Sequence, residues 1–413
     1  MSAPVTTPFT VNGRTYRPPG RPLAVVCLDG CADEYLDAVL VRGRAPSIAR
    51  IALHGWRGMA RSALPSFTNT NNASIATGAP PSVHGISGNY FLDPTSGKEV
   101  MMNSAAFLRA ETIFAAASRA GRRPAVVTAK DKLREILACG MKGVSLSAEK
   151  AREARQETHG ISDAEAVVGA PTPPIYSAEA SIFVLKAGAA FLERKLADFL
   201  YLSLTDYIQH KHAPGDPVAI DFLAALDREI GRLLDLGAVV GLTADHGMNA
   251  KQKPDGSPNV IYLERLLEEK LGPGNRVILP ITDPYVKHHG ALGSFAAVHL
   301  ADARRVEDAR RALSAVPGIT EVHDRASAAE HLELPADRIG DICVLSGRDV
   351  VLGTRPELHD LDAVSTGLRS HGGRYEEMVP FLVSEPLGPE SARRARGDLR
   401  NFDIFDLTVN GAS

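Results

Sequence analysis

The chain of 413 residues is longer than one typical domain, and its apolar fraction of 44% and charged fraction of 23% are those of a soluble globular protein with a large core. We therefore expect one large domain and a smaller one. The net charge of −3, without a long basic or acidic run, gives no indication of nucleic acid or a membrane surface as a partner.

The N-terminal segment and the cysteines bear on the cellular compartment. Residues 1–7 lack a basic stretch followed by an apolar core, and no later apolar run is long enough to span a bilayer. We therefore expect a cytoplasmic protein. The cysteines form no CxxC pair, so we expect buried thiols rather than disulfides or metal ligands at Cys27, Cys31, Cys139 and Cys343.

The first buried strand is predicted at residues 22–28, a continuous apolar run typical of a parallel sheet that is covered on both faces. Asp29 follows this run directly. Since α/β sheets bind ligands at the carboxyl ends of their strands, we expect Asp29 to point into that crevice. A helix is predicted next, around residues 46–54.

Thr68 is a candidate nucleophile. A strand is predicted at residues 57–63 and a helix at residues 69–77, closed by Gly78, which places Thr68 at the helix N-cap. A helix start presents unpaired backbone N–H groups and a partial positive charge, which favour anions such as phosphate. The alternative is an ordinary cap, because Ser and Thr are usual at that position.

Lys130 and Lys132 are candidate ligands for an anion. They lie just past a strand predicted at residues 124–128, which follows an amphipathic helix predicted at residues 104–120. A helix N-terminus disfavours cations, so lysines at this position indicate a functional role, such as binding an anion in the crevice. The alternative is that they are solvated surface residues.

Two further buried strands also end in acids. A strand predicted at residues 198–204 leads to Asp206, and His210 follows four residues later. If a helical turn begins at Asp206, both side chains lie on one face and can bind one ion. A cap with a surface histidine is the alternative, and His212 is a second candidate ligand.

The strand predicted at residues 238–243 leads to Asp245 and His246. Each of the acids Asp29, Asp206 and Asp245 could, taken alone, simply form a turn. Three acids at one edge of a sheet, two of them with histidines, are hard to explain in that way, and they indicate a metal site.

Residues 253–355 change to short strands and helices, which predicts an inserted α+β cap domain over a core made of residues 1–252 and 356–413. Within the insert we interpret His288 and His289 as loop residues, with a contact from the cap to the site as the alternative. After it, His371 lies among glycines, where it can reach a ligand or be a plain loop residue.

These ligand types suit a catalytic metal. Carboxylates and imidazoles without thiolates fit zinc, with manganese or iron as substitutes, and six such ligands are enough for two ions. Two ions can clamp the attacking and leaving oxygens of a displacement at phosphorus, and one of them can turn Thr68 into an alkoxide nucleophile.

The sequence resembles the alkaline phosphatase superfamily, in its nucleotide pyrophosphatase/phosphodiesterase-like branch. The resemblance rests on an ordered set: Thr68 at a helix start, Pro-x-x-His-Gly at residues 81–85, Asn89, Asp-x-x-x-His from Asp206, Asp-His-Gly from Asp245, and a late His371. It implies an alkaline-phosphatase-like three-layer α/β/α core with two zinc ions. It further implies one ion at Asp29, Thr68, Asp245 and His246, a second at Asp206, His210 and His371, and Asn89 as the residue that holds a phosphoryl oxygen.

The segment Thr-Ala-Lys130-Asp-Lys132-Leu further resembles carbon–phosphorus bond hydrolases in which two lysines hold a substrate carboxylate. We therefore expect zinc-dependent cleavage of phosphonoacetate, a small anionic phosphonate, to acetate and phosphate through a phosphothreonine. Positive charge from zinc and lysine would stabilise the charge on the departing acetate carbanion.

The main alternative is a phosphodiesterase or nucleotide pyrophosphatase that acts on a small phosphate or phosphonate ester. It shares every metal ligand, and only the two lysines distinguish it from an enzyme that cleaves phosphonoacetate. A sulfatase needs a C/S-x-P-x-R sequence that the Thr68 region lacks, and a catalytically silent binding protein predicts missing ligands. The sequence does not determine the oligomeric state, for which a homodimer is one candidate.

Overall fold

The computed structural model describes residues 4–283, 289–364 and 367–412. Its strands, in chain order, are β1 (Phe9–Val11), β2 (Arg14–Tyr16), β3 (Leu23–Cys27), β4 (Trp56–Arg61), β5 (Tyr90–Leu92), β6 (Glu99–Met101), β7 (Pro124–Thr128), β8 (Val144–Ser147), β9 (Phe199–Ser203), β10 (Val239–Thr243), β11 (Asn249–Ala250), β12 (Val260–Tyr262), β13 (Arg276–Ile278), β14 (Phe295–His299), β15 (Ile319–Asp324), β16 (Ile342–Ser346), β17 (Val351–Gly353), β18 (Arg369–Ser370) and β19 (Met378–Val383).

The α-helices, in chain order, are α1 (Asp33–Leu40), α2 (Pro46–His54), α3 (Thr68–Thr77), α4 (Pro81–His84), α5 (Ile113–Arg119), α6 (Asp131–Leu137), α7 (Gln156–His159), α8 (Ala164–Val168), α9 (Ala178–Glu193), α10 (Pro217–Asp235), α11 (Leu263–Leu271), α12 (Val306–Ser314), α13 (Arg325–His331), α14 (Pro389–Ala395) and α15 (Ile404–Asn410).

In the described part of the chain, the largest sheet has seven strands in the order β4-β19-β10-β3-β9-β7-β8. The strands β10, β3, β9, β7 and β8 are parallel to one another, and β19 is antiparallel to both of its neighbours. Every residue of β3, β7, β9 and β10 is buried, which is why these strands appear in the sequence as continuous apolar runs. Their carboxyl ends therefore meet at one edge of the sheet.

Helices cover both faces of this sheet, as β9 shows. Its alternate residues Phe199 and Tyr201 contact the rings of Phe114 in α5 and Phe405 in α15. Leu202 points to the opposite face, where α9 packs so closely that a Cβ on Gly188 would lie 2.6 Å from its side chain. The period of two along the strand thus separates two helical layers around one core.

A second lobe has its own sheet, with antiparallel strands in the order β13-β14-β16-β15, and its own buried apolar cluster. Leu64 and Phe67 from the segment before α3 belong to that cluster. The start of α3 is consequently fixed between the two cores. The division of the chain at residues 252/253 and 355/356 stays a prediction.

Two local predictions differ from the structure. The helix α3 begins at Thr68 itself, with Phe67 at the N-cap, because the chain is still extended at Phe67. The single helix expected at residues 104–120 is a 3-10 turn, Ala105–Phe107, followed by α5. There the Thr112 hydroxyl accepts a hydrogen bond from the N–H of Ala115, so it caps a new helix.

Candidate active site and metal centre

The predicted site residues converge because parallel strands end at one sheet edge. Asp29 follows β3, Lys130 follows β7, Asp206 follows β9 and Asp245 follows β10. The three acids are nearly inaccessible, with exposed fractions of 1%, 3% and 0% respectively. Thr68, which starts α3 after β4, approaches the same edge.

Carboxylates and imidazoles form two adjoining groups. One contains Asp206, His210 and His371, the other contains Asp29, Asp206 and His246, and the candidate ligand atoms of each group lie within 4.8 Å of one another. Asp206 belongs to both groups. One of its oxygens, Oδ2, lies 2.8 Å from Nε2 of His210 and 3.9 Å from Nε2 of His371.

Asp245 lies beside the second group. Its Oδ2 is 3.6 Å from Nε2 of His246, and Oδ1 of Asp29 is 3.4 Å from the same nitrogen. All the acids and histidines expected at the metal site are therefore brought together. The shared position of Asp206 between the two groups was not expected from the sequence.

The three histidines are oriented alike. Each Nδ1 lies within hydrogen-bond distance of a backbone carbonyl, at 2.8 Å for His210, 2.9 Å for His246 and 2.8 Å for His371. A carbonyl only accepts, so Nδ1 carries a proton and Nε2 is the nitrogen that each ring turns toward the site, where it can bind a metal ion. Burial lowers the pKa of His246 and lowers that of His371 further, which keeps both rings neutral.

Burial and neighbouring charges act differently on the pKa values of the three carboxyl groups. Burial and the nearby Asp206 raise the pKa of Asp29 well above its ordinary value, and burial raises that of Asp245 to about 6. Burial acts on Asp206 as well, but His210 and Lys130 outweigh it and hold its pKa well below the ordinary value. Oδ1 of Asp29 is buried and accepts no hydrogen bond from the described residues. Imidazole Nε2 atoms together with buried carboxylates, one of which has an oxygen without a hydrogen bond, are the donor set that divalent zinc, manganese or iron fits.

Asn72, which the sequence analysis did not single out, ties the site to the sheet. Its Oδ1 accepts hydrogen bonds from Tyr201 and Ser203 of β9, both at 2.8 Å. Its Nδ2 donates to Oδ2 of Asp245 at 3.4 Å and to the carbonyl of Thr68 at 3.0 Å. The amide thus orients an acid and the first turn of α3 together. The signal available in the sequence was the run of polar residues in the first turns of α3, which include Asn72.

Thr68 faces this group. Its Oγ1 is 3.3 Å from Nε2 of His246, and the residue is 8% exposed. Next to it, Oδ1 of Asn89 accepts a hydrogen bond from the N–H of Asn69 at 3.1 Å. Since that bond fixes which end of the amide is the acceptor, the NH₂ group of Asn89 is the end available to an anion in the crevice that both residues line.

The two lysines line the same crevice but have different partners. Nζ of Lys130 lies 3.5 Å from Oδ1 of Asp206, whereas Lys132 forms an ion pair with Asp283 from the second lobe. Burial acts to lower the pKa of Lys130, yet Asp206 and Asp29 outweigh it and raise it. Burial and Lys130 lower the pKa of Lys132.

The second lobe contributes Asp283 and His289 to the crevice, together with the apolar Ile281. Asp283 was missed, because its position before a proline is typical of a turn. His289 is buried, its ring centroid is 5.6 Å from that of His210, and burial lowers its pKa to about 3. His288 lies outside the described residues. His212 does not line the crevice and faces Asp216 instead, with Nδ1 3.1 Å from Oδ2.

Comparison with known proteins identifies the class. The family model described as type I phosphodiesterase / nucleotide pyrophosphatase matches residues 23–374, and the chain belongs to this family, within the alkaline phosphatase superfamily. The murine and human ectonucleotide pyrophosphatase / phosphodiesterase 5 share its fold at 18% and 16% identity, each with a TM-score of 0.63. The alignments cover 94% of this chain, with 94% of the murine and 93% of the human protein.

A much more similar solved structure is phosphonoacetate hydrolase from Sinorhizobium meliloti 1021. It is 49% identical, the match covers 100% of each chain, and the TM-score is 0.94. That protein was crystallised in complex with phosphonoformate and with phosphonoacetate. The predicted alkaline-phosphatase-like α/β fold is thereby confirmed. In the residues that the structure describes, no helix is long and apolar enough to cross a membrane.

Proposed function

We propose that this protein hydrolyses the carbon–phosphorus bond of phosphonoacetate to acetate and phosphate. The observation that carries the proposal is that Lys130 and Lys132 line one crevice with Thr68, Asn89 and three of the candidate metal ligands, Asp206, His210 and His371. The similarity to phosphonoacetate hydrolase supports the same substrate. A pair of lysines beside a candidate metal centre suits a substrate with a carboxylate at one end and a phosphonate at the other.

Two zinc ions, with manganese or iron as substitutes, would supply Lewis acidity that lowers the pKa of the Thr68 hydroxyl and offsets the charge of the phosphonate. Asp29, Asp245, His246 and Thr68 would hold one ion, and His210 and His371 the other. Asp206, assigned to the second ion from the sequence, lies within reach of both groups.

The chemistry of the residues follows from their positions. The NH₂ group of Asn89 binds a phosphoryl oxygen while Oγ1 of Thr68 attacks phosphorus. The Oγ1–P bond forms and the P–C bond breaks, and its electron pair passes to the carbon next to the carboxylate that the lysines hold. The Thr68 hydroxyl proton passes to solvent as Oγ1 attacks, and the carbanion takes one proton back from solvent and leaves as acetate. A water then attacks phosphorus of the phosphothreonine; the P–Oγ1 bond breaks, phosphate is released, and one proton of that water returns to Oγ1 of Thr68.

We further propose that residues 253–355 act as a cap domain on a core formed by residues 1–252 and 356–413. Asp283 and His289 from this part of the chain line the crevice, which supports a role in closing it. Limited proteolysis with and without phosphonoformate would test this role. Unchanged cleavage within residues 253–355 would argue against it.

A phosphodiesterase that acts on a small phosphate or phosphonate ester is the second candidate. Beyond the lysines lies a cavity of about 430 Å³, also lined by Tyr176 and Ile175, which offers room for a larger leaving group. The family description favours this activity too.

A substrate panel offered to the zinc-loaded protein separates the two candidates. Turnover is followed as phosphate released from phosphonoacetate, nitrophenol released from a nitrophenyl phosphonate ester, and nucleotide released from a nucleoside phosphodiester. We expect the highest kcat/KM with phosphonoacetate. A higher kcat/KM with either ester would refute the carbon–phosphorus assignment in favour of the second candidate. Cell fractionation would test the cytoplasmic location that we propose, and light scattering would test a homodimer.

A further inference from the structure

A buried ion pair lies just behind the candidate metal centre. Nζ of Lys251 is 2.8 Å from Oε1 of Glu376, and both side chains are completely inaccessible. Lys251 follows β11 directly, and Glu376 ends a short 3-10 turn before β19. Neither residue lines the crevice, and the reaction described above assigns no part to either of them.

Both members of the pair have further hydrogen-bond partners. Oε1 of Glu376 also accepts a hydrogen bond from Nδ2 of Asn249 at 2.7 Å, and Oε2 accepts one from the N–H of Gly373 at 3.1 Å. Nζ of Lys251 donates a second bond, 2.7 Å long, to the carbonyl of Arg348 in the second lobe. The ion pair thus joins three chain segments, those of Lys251, Arg348 and Glu376.

Two of these segments carry candidate metal ligands. The backbone carbonyl of Glu376 accepts a 2.7 Å bond from the N–H of Gly247, the residue after His246. Its carboxylate holds Gly373, two residues after His371. The strands β11 and β18 pair between the same segments. As a result the rings of His246 and His371 stack with centroids 3.5 Å apart and an angle of 5° between their planes.

Stability alone does not account for such a pair. Two buried charges lose their hydration, and a well-packed apolar pair of similar size is often as stable or more so. What an apolar pair cannot do is hold a backbone N–H and an asparagine amide at fixed positions beside two ligand loops.

We propose that Lys251 and Glu376 are positioning residues that set the spacing between His246 and His371, and so between the two ligand groups. The inference rests on the proposed two-metal function. When residues that do not bind the metal but hold its ligands in place are removed, metal affinity typically falls about tenfold to a hundredfold.

The test is metal binding to the full-length protein, measured by competition with a chelator after the metal has been removed. Lys251→Met keeps the volume of the side chain but removes its charge. Glu376→Gln keeps the shape but sets an NH₂ group against the N–H of Gly373, which loosens the His371 loop, and it serves if Lys251→Met does not fold. We expect two zinc ions in the wild type and a zinc affinity lower by about tenfold to a hundredfold in the variants.

A matched control lies at the opposite edge of the same sheet. Nε of Arg122 is 2.9 Å from Oδ1 of Asp198, both side chains are buried, and the pair precedes β7 and β9. Arg122→Met should lower Tm by an amount similar to Lys251→Met and leave zinc affinity unchanged.

The outcomes are distinct. Folded Lys251→Met or Glu376→Gln protein that binds two ions with wild-type affinity would overturn the inference and leave the proposed function standing. An equal loss of affinity in Arg122→Met would also overturn it, because a general effect of stability would then explain the result. A wild-type protein that binds a single ion would overturn the two-metal function, and the inference with it.

Discussion

Lys132 offers the sharpest test of the substrate, because it contacts none of the candidate metal ligands. It pairs with Asp283, whereas Lys130 pairs with Asp206, which both ligand groups share. Replacing Lys132 should therefore affect only a substrate that carries a carboxylate. Replacing Lys130 should disturb the metal centre as well.

The size of the expected loss in kcat/KM follows from the burial of the Lys132 ammonium group. The Lys132 side chain is 19% exposed, so its contact with a substrate carboxylate is largely shielded from water. A charge-assisted hydrogen bond in that setting contributes about 1.5–3 kcal/mol. We therefore expect Lys132→Met to lower kcat/KM for phosphonoacetate about tenfold to a hundredfold.

The assay compares phosphonoacetate with a nitrophenyl phosphonate ester that has no carboxylate. Lys132→Met leaves Asp283 buried without this partner, so Lys132→Met/Asp283→Asn is the control that removes the remaining charge. Both variants should cleave the ester at nearly the wild-type rate, and Lys130→Met should be slower on both substrates. Equal losses on both substrates in the Lys132 variants would refute the reasoning.

Three further predictions concern the nucleophile, the ligands and pH. Thr68→Ala should bind metal almost as the wild type does and lose activity by orders of magnitude, since no alkoxide can form; substantial phosphate release would instead show direct attack by water. Asp206→Asn should weaken the binding of both proposed ions, whereas His371→Ala should weaken the binding of mainly one, because only Asp206 lies in both groups. The metal content after dialysis distinguishes these two patterns. Burial raises the pKa of Asp245 from 3.8 to about 6, so the metal-free protein gains stability from its protonation at low pH and loses that gain as pH rises through about 6. Zinc binds the ionised acid, so the rise in Tm on adding zinc should grow over the same range, and a rise independent of pH would contradict this account.

The buried strands could be predicted from the sequence because every residue in them faces a core. Continuous apolar runs mark β3, β9 and β10, and an acid shortly after each strand places a carboxylate at the sheet edge. Asp29, Asp206 and Asp245 could thus be found by local reasoning.

Residues brought to the site by long-range packing could not be found in this way. Asp283 reaches Lys132 because the second lobe packs on the loop of Asn89, whose N–H donates to the carbonyl of Pro280 at 2.8 Å. No periodicity in the sequence records that contact. The place of Asp206 between two ligand groups likewise depends on distances of a few ångströms across three strands.

The position of β19 has a consequence for biosynthesis. This strand lies late in the sequence, yet it occupies an interior place in the main sheet, between β4 and β10. While a ribosome is still translating the residues before it, β10 has no neighbour on that side, and His371 has only just been made. Sheet closure and completion of the candidate ligand set therefore both wait until residues 371–383 have been made. We expect a nascent chain arrested before residue 371 to bind at most one of the two proposed ions, because it lacks His371.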